Sequence, residues 1–323
     1  MEKFEIIDAH IHMAKTLEEE INWWKIPGRS VRERWASPEN SAARMDRNGI
    51  SKMVILVILP TFSRPSLAEK ERVEALPEKE RREGENKFIQ QLSPIIRDRN
   101  EWVCQTGQRF PRLIPFVCMA KDLGDSKAMV EELTLRFNQG ARGVKLHPGM
   151  HCFYPNDREF WPMYEKCQEL GLPILADSGP WAVPRILVGS ASHLHQKQKD
   201  YGEPKNFEQV LKDFPKLTLV LAHFGSAWWD VRVELAQKYP NVYFDISQGF
   251  CAPDHTPHAP HRGLAEEDAV RIMRKIGIER IMFGTDGPAV PIEPQMQSFL
   301  RLPLNDEEKR MVLAENAKRI LSI

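Results

Sequence analysis

Eight short apolar runs, most followed by an amphipathic helical pattern, restrict the fold of this chain more than any other feature. The runs are Phe4–Ile11, Met53–Leu59, Leu113–Met119, Gly143–Leu146, Pro173–Ala176, Leu217–Ala222, Val242–Ile246 and Arg280–Phe283. Between them lie Ser126–Asn138, Arg158–Leu170, Asn206–Phe214, Asp230–Tyr239 and Glu266–Ile276. In the first of these, Met129, Val130, Leu133 and Phe137 recur at the spacing that gathers them on one helix face. Gly140, Gly171, Pro215, Pro240 and Gly277 punctuate the joins, where helices end and strands begin. Alternation of this kind implies an α/β fold with parallel strands, and eight units suit a closed barrel about as readily as an open sheet. The final helix, Asp306–Leu321, is expected outside the barrel.

Two segments break the rhythm. Residues 13–38, with Trp23, Trp24 and Trp35, follow the first strand, and the charged, helix-prone residues 61–111 follow the second. Solvated helical faces account for the charges without a partner. Because both segments follow strand ends, they are expected to be insertions capping the mouth of one domain spanning residues 1–323.

Composition narrows the function classes. Lys and Arg balance Asp and Glu at 45 each, so no global field draws the chain to nucleic acid or an anionic membrane. No stretch is apolar for long enough to span a bilayer. The five cysteines are odd in number, widely spaced and lack a CxxC pair, which argues against a disulfide framework and a zinc ribbon. The N-terminus runs straight into strand-like sequence without a signal-peptide pattern, so a cytoplasmic location is expected.

The strand ends carry the chemistry. The first gives Asp8-Ala9-His10-Ile11-His12. Alternation along a strand turns His10 and His12 to one face and Ile7, Ala9 and Ile11 to the other. Later strands end in Lys145-Leu146-His147-Pro148-Gly149, Asp177-Ser178-Gly179, His223-Phe224-Gly225 and Thr285-Asp286-Gly287-Pro288. Each residue alone has a plain structural reading, as a turn former, a buried hydrogen-bonded histidine or an ion-pair partner. Together they form the set a metal hydrolase needs, with imidazole and carboxylate ligands converging from several strands.

The DAHIH, GVKLHPG, LVLAHFG and FGTDGP segments and the closing Glu315-Asn316-Ala317-Lys318-Arg319-Ile320-Leu321 resemble the amidohydrolase superfamily, in particular the amidohydrolase-2 branch. That branch includes aminocarboxymuconate-semialdehyde decarboxylase and related decarboxylases, hydratases and lactonases. The resemblance runs from the first strand to the last helix and spares the two insertions. It implies a (β/α)8 TIM barrel with a divalent metal at the strand C-termini: zinc first, with manganese or iron as alternatives. It assigns His10, His12 and Asp286 as ligands, Asp286 also as proton acceptor, and His223 as acid/base, electrophile or second-metal ligand. Lys145 takes the position where some members carry a carboxylated, metal-bridging lysine. The family usually has histidine where this chain has Asp177, which either binds the metal through oxygen or marks an altered site; retained binding is expected.

The first functional expectation is hydrolysis of an amide, ester or lactone of a small substrate, carboxylate-bearing or cyclic, by metal-activated water. The alternative is non-oxidative decarboxylation or hydration of a small carboxylic acid, and the third is a binding protein on a degenerate barrel. Arg185 near Trp181, with His147 and Tyr154, is the candidate substrate-binding set, the guanidinium suiting a carboxylate. His151, His193, His195 and the His255–His261 loop also lie past strand ends on the mouth side, and a homo-oligomer is left open.

Overall fold

The computed structural model describes residues 4–19, 37–58, 67–179, 200–224, 228–247, 266–288 and 290–323. Eight parallel strands follow one another in chain order: β1 (Ile6–Ile11), β2 (Ile50–Leu56), β3 (Leu113–Cys118), β4 (Gly143–Leu146), β5 (Ile174–Ala176), β6 (Leu219–Leu221), β7 (Val242–Asp245) and β8 (Ile281–Met282). Ala9 donates to the Phe283 carbonyl and Asp286 to that of His10, at 2.9 and 2.8 Å, which brings β1 against β8 and closes the (β/α)8 barrel. Local chemistry fixes the connections. Before β2, the Ser37 hydroxyl caps the helix Pro38–Asn48 by accepting from Asn40, and Gly49 ends it in the left-handed conformation.

Alternate strand residues sort into two apolar layers. Met53, Ile55, Val117, Ile174, Ala176, Leu219 and Leu221 pack against the helices. Val54, Leu56, Phe116, Leu175, Val220 and Met282 fill the interior. Gly143 shares the interior face of β4 with Lys145; a Cβ there would lie 2.3 Å from the Phe116 ring, so only glycine lets that ring cross the barrel.

Three expectations are corrected. β1 does not alternate simply: Asp8 pairs with Met53 and Ile11 with Ile55, so three steps on β1 match two on β2. This bulge leaves Ile7 and Ala9 in the interior layer and Ile11 in the outer one. The second strand starts at Ile50 rather than Met53. The terminal segment does not lie wholly outside, because Ala314, Ala317, Ile320 and Leu321 join the interior cluster and cover the base of the barrel. It is broken by a π-helical turn at Met311–Glu315, whose Val312 carbonyl accepts from Phe283.

Within residues 61–111, Glu78–Arg109 forms one 32-residue helix that buries Leu92, Ile96, Val103 and Cys104. The shorter helix Leu67–Glu74 packs on it, Val73 lying against Gly84. Buried Lys70 reaches from this helix to Asp122 at 3.0 Å and to the His151 carbonyl at 3.3 Å, tying it to loops beyond β3 and β4. No helix among the described residues is long and apolar enough to cross a membrane.

Candidate metal centre

The C-terminal ends of the strands bring His10, His12, Lys145, His147, Asp177, His223, Asp245 and Asp286 together in a buried polar cluster. Backbone geometry sets their aim. The β1 bulge turns His10 and His12 toward the mouth, and Gly284 on the adjoining β8 segment leaves room, since a Cβ there would lie 2.9 Å from that of His10. His223 and Asp286 both adopt left-handed backbone angles, with φ of 61° and 63°. Such strain in non-glycine residues collects where a side chain must be aimed against local preference. Asp8 braces the β1–β8 join by accepting from the Thr285 hydroxyl at 2.6 Å and the Thr285 amide at 3.0 Å. Burial pushes the Asp8 carboxyl up to about 7, against the pull of these hydrogen bonds.

On the β1–β8 side, the protons of both histidines are committed away from the centre. His10 Nδ1 donates to Asp245 Oδ2 and His12 Nδ1 to the Leu56 carbonyl, each at 2.9 Å. In the neutral imidazole this leaves Nε2 as a lone pair. Burial holds His12 toward its neutral form despite Asp286. Both Nε2 atoms nevertheless face Asp286 Oδ1, at 3.3 Å from His10 and 3.0 Å from His12. Two lone pairs against a carboxylate oxygen repel unless a cation sits among them. Ligands about 2.1 Å from an ion stand roughly 3.0–3.4 Å apart at octahedral to tetrahedral angles, so the spacing fits a metal centre. His10, His223 and Asp286 also offer ligand atoms that all lie within 4.8 Å of one another. Asp245 behind His10 is the outer carboxylate that fixes a ligating imidazole's tautomer. Lys145 Nζ stands 3.4 Å from His10 Nε2.

The β4–β6 side is wired differently. His147 Nδ1 accepts from the Met150 amide at 3.1 Å, so its proton is on Nε2, 3.3 Å from Asp177 Oδ2. His223 Nε2 lies 2.8 Å from the same oxygen. On its other side, His223 Nδ1 faces the Ser247 hydroxyl at 2.9 Å and the Ser247 carbonyl at 3.4 Å. That hydroxyl spends its own proton on Asp245, so Nδ1 is the donor. Burial works against charge on His223, but Asp177 outweighs it and raises the imidazole to about 9.

Burial likewise opposes ionisation of Asp177 and Asp245, and in both cases the facing histidines prevail and hold the carboxyl below its usual range. Fully buried Arg232 adds a positive charge beneath them, donating to Ser178. Burial lowers Arg232 to about 10 and also draws Lys145 down.

Of the residues singled out in the sequence, His10, His12, Lys145, His147, Asp177, His223 and Asp286 meet here. Tyr154 packs against Tyr201, 4.8 Å between ring centroids. Trp181, Arg185, His193, His195, the His255–His261 loop and the tryptophans of the first insertion lie outside the described residues. Asp245, Ser247, Asp8 and Arg232 are additions. Asp245 carries the signal used elsewhere, a polar residue ending an apolar strand, whereas Arg232 sits in a helix where nothing local marks it.

A model of the amidohydrolase family matches residues 7–323. No curated protein matches the chain. Among solved structures, a dihydroxybenzoic acid decarboxylase from Polaromonas sp. JS666, with bound manganese and the inhibitor 2-nitroresorcinol, aligns with a TM-score of 0.69 at 17% identity over 99% of this chain and 97% of that one. A 2,6-dihydroxybenzoate decarboxylase from Rhizobium aligns at 0.65 and 18% identity over 99% of both chains. A probable 2-pyrone-4,6-dicarboxylic acid hydrolase from Acinetobacter baumannii aligns at 0.59 and 14% identity, over 99% of this chain and 100% of that one.

Proposed function

The chain belongs to the amidohydrolase family, in its amidohydrolase-2 branch, and from that premise we propose that it is a metal-dependent, non-oxidative decarboxylase of a small hydroxylated aromatic acid. His10, His12 and Asp286 hold the ion in this reading, and manganese suits their mixed nitrogen and oxygen donors. Bound there, a divalent cation supplies Lewis acidity that holds an anionic oxygen of the substrate and takes up negative charge.

The observation that carries this reading over hydrolysis is the setting of His223, which would serve as a base in hydrolysis. It is fixed between Asp177 Oδ2 at 2.8 Å and the Ser247 hydroxyl at 2.9 Å, and Asp177 raises its imidazole to about 9. A ring so held is poorly suited to pull a proton from water. A charged imidazolium, fixed at the strand ends, instead stabilises an anionic substrate and the negative charge that develops as carbon dioxide departs. The proton that the ring carbon takes up as its bond to the carboxylate breaks would come from the His223 imidazolium. The decarboxylases among the aligned structures support the same choice.

The test is incubation of manganese-loaded protein with 2,6-dihydroxybenzoate and related hydroxybenzoates in water labelled with oxygen-18. Release of carbon dioxide and the corresponding phenol, with no label in the organic product, is expected. Label entering the product of a lactone or ester, with every aromatic acid left intact, would refute the decarboxylase and restore hydrolysis.

A further inference from the structure

We propose that Asp177 is a positioning residue for His223 rather than a ligand of the ion. This rests on reading the mouth as a metal centre, but not on which reaction occurs there. Both oxygens of Asp177 are already engaged. Oδ2 stands 3.3 Å from His147 Nε2 and 2.8 Å from His223 Nε2, and Oδ1 lies 3.4 Å from the Gly179 amide. The His147 contact is an ion-pair approach, and the Met150 amide on Nδ1 leaves the ring proton on Nε2, the nitrogen that faces Asp177. No cation is needed to reconcile these atoms, unlike the lone pairs that face Asp286.

The surrounding backbone is built to hold the Asp177–His223 distance. Ser178, next to Asp177, donates its hydroxyl to the carbonyl of Ala222, next to His223, at 2.6 Å. Ala222 in turn donates its amide to the Ala176 carbonyl at 2.9 Å. Arg232 clamps the same point from below, its Nη1 at 3.0 Å from the Ser178 hydroxyl. The first two bonds lock β5 to β6 beside the pair, and the third ties that join to the helix Trp229–Lys238. His223 is thereby fixed between Asp177 and Ser247, and its ring stands 5.0 Å from that of His10.

The experiment compares Asp177→Asn, Asp177→Ala and Asp286→Asn with the unsubstituted protein, reading manganese affinity by chelator competition and His223 by nitrogen-15 imidazole resonances in zinc-loaded protein. Both Asp177 variants are expected to keep manganese affinity within about threefold while the His223 resonances move, and Asp286→Asn to lose the metal. In Asp177→Asn, kcat should fall roughly 100-fold with KM little changed, the size of an acid–base or electrostatic contribution. In the unsubstituted protein, the His223 proton facing Asp177 should persist as a downfield signal on zinc loading. Loss of that signal, or manganese loss in the Asp177 variants as deep as in Asp286→Asn, would overturn the proposal. If no aromatic acid is decarboxylated, the functional reading falls, and affinity and resonances still decide this one.

Discussion

Two histidines and one aspartate meet on the β1–β8 side of the barrel mouth, and two histidines and one aspartate meet across it on the β4–β6 side. In the first group the imidazole protons point outward, to Asp245 and the Leu56 carbonyl, and two lone pairs converge on Asp286. In the second, Nε2 of both rings faces Asp177. The same residue types thus meet a carboxylate in two different ways, depending on what binds the far nitrogen of each ring. Tautomer, set by a neighbour outside the centre, decides the chemistry.

The contrast breaks first at the ligands. His10→Ala or His12→Ala should purify without manganese and show no turnover, whereas His147→Ala should retain about one equivalent, as metal analysis would show. Removing the outer carboxylate with Asp245→Asn leaves both rings in place but frees the tautomer of His10. Manganese affinity should fall about 10- to 100-fold by chelator competition. If affinity is unchanged, the proton accounting on the β1–β8 side is wrong.

Smaller effects sharpen the comparison. Gly284→Ala would press a methyl group on His10, at a cost of about 1–3 kcal/mol in stability by urea unfolding, together with weaker metal binding. The exposed Glu5–Lys318 pair lies far from the strand C-termini, so Glu5→Gln should change stability by less than about 0.5 kcal/mol and metal affinity not at all.

Much of the barrel was legible because short apolar runs and period-3.6 patterns are written locally, in Leu219–Leu221 and Ser126–Asn138. The bulge at Ala9–His10 was not, since it arises from pairing with β2, and the alternation drawn from β1 alone misplaced Ile7 and Ala9. The covering of the base by Ala317 and Leu321 depends on how this segment packs against the strands, and Asp306–Leu321 reads as any amphipathic helix. The strand-end rule singled out His10, His12, Asp177, His223 and Asp286, which the fold brings together. Which nitrogen of each ring carries the proton depends on distant carbonyls and amides such as Leu56 and Met150, and no spacing encodes that.

The most direct measurement is an anomalous difference map from crystals of the manganese-loaded protein. One strong peak is expected among His10 Nε2, His12 Nε2 and Asp286, with Asp177 still bonded to His147 and His223. A peak bridging Asp177 and His147, or none at the strand ends after loading, would contradict the assignment of a cation side and a proton side.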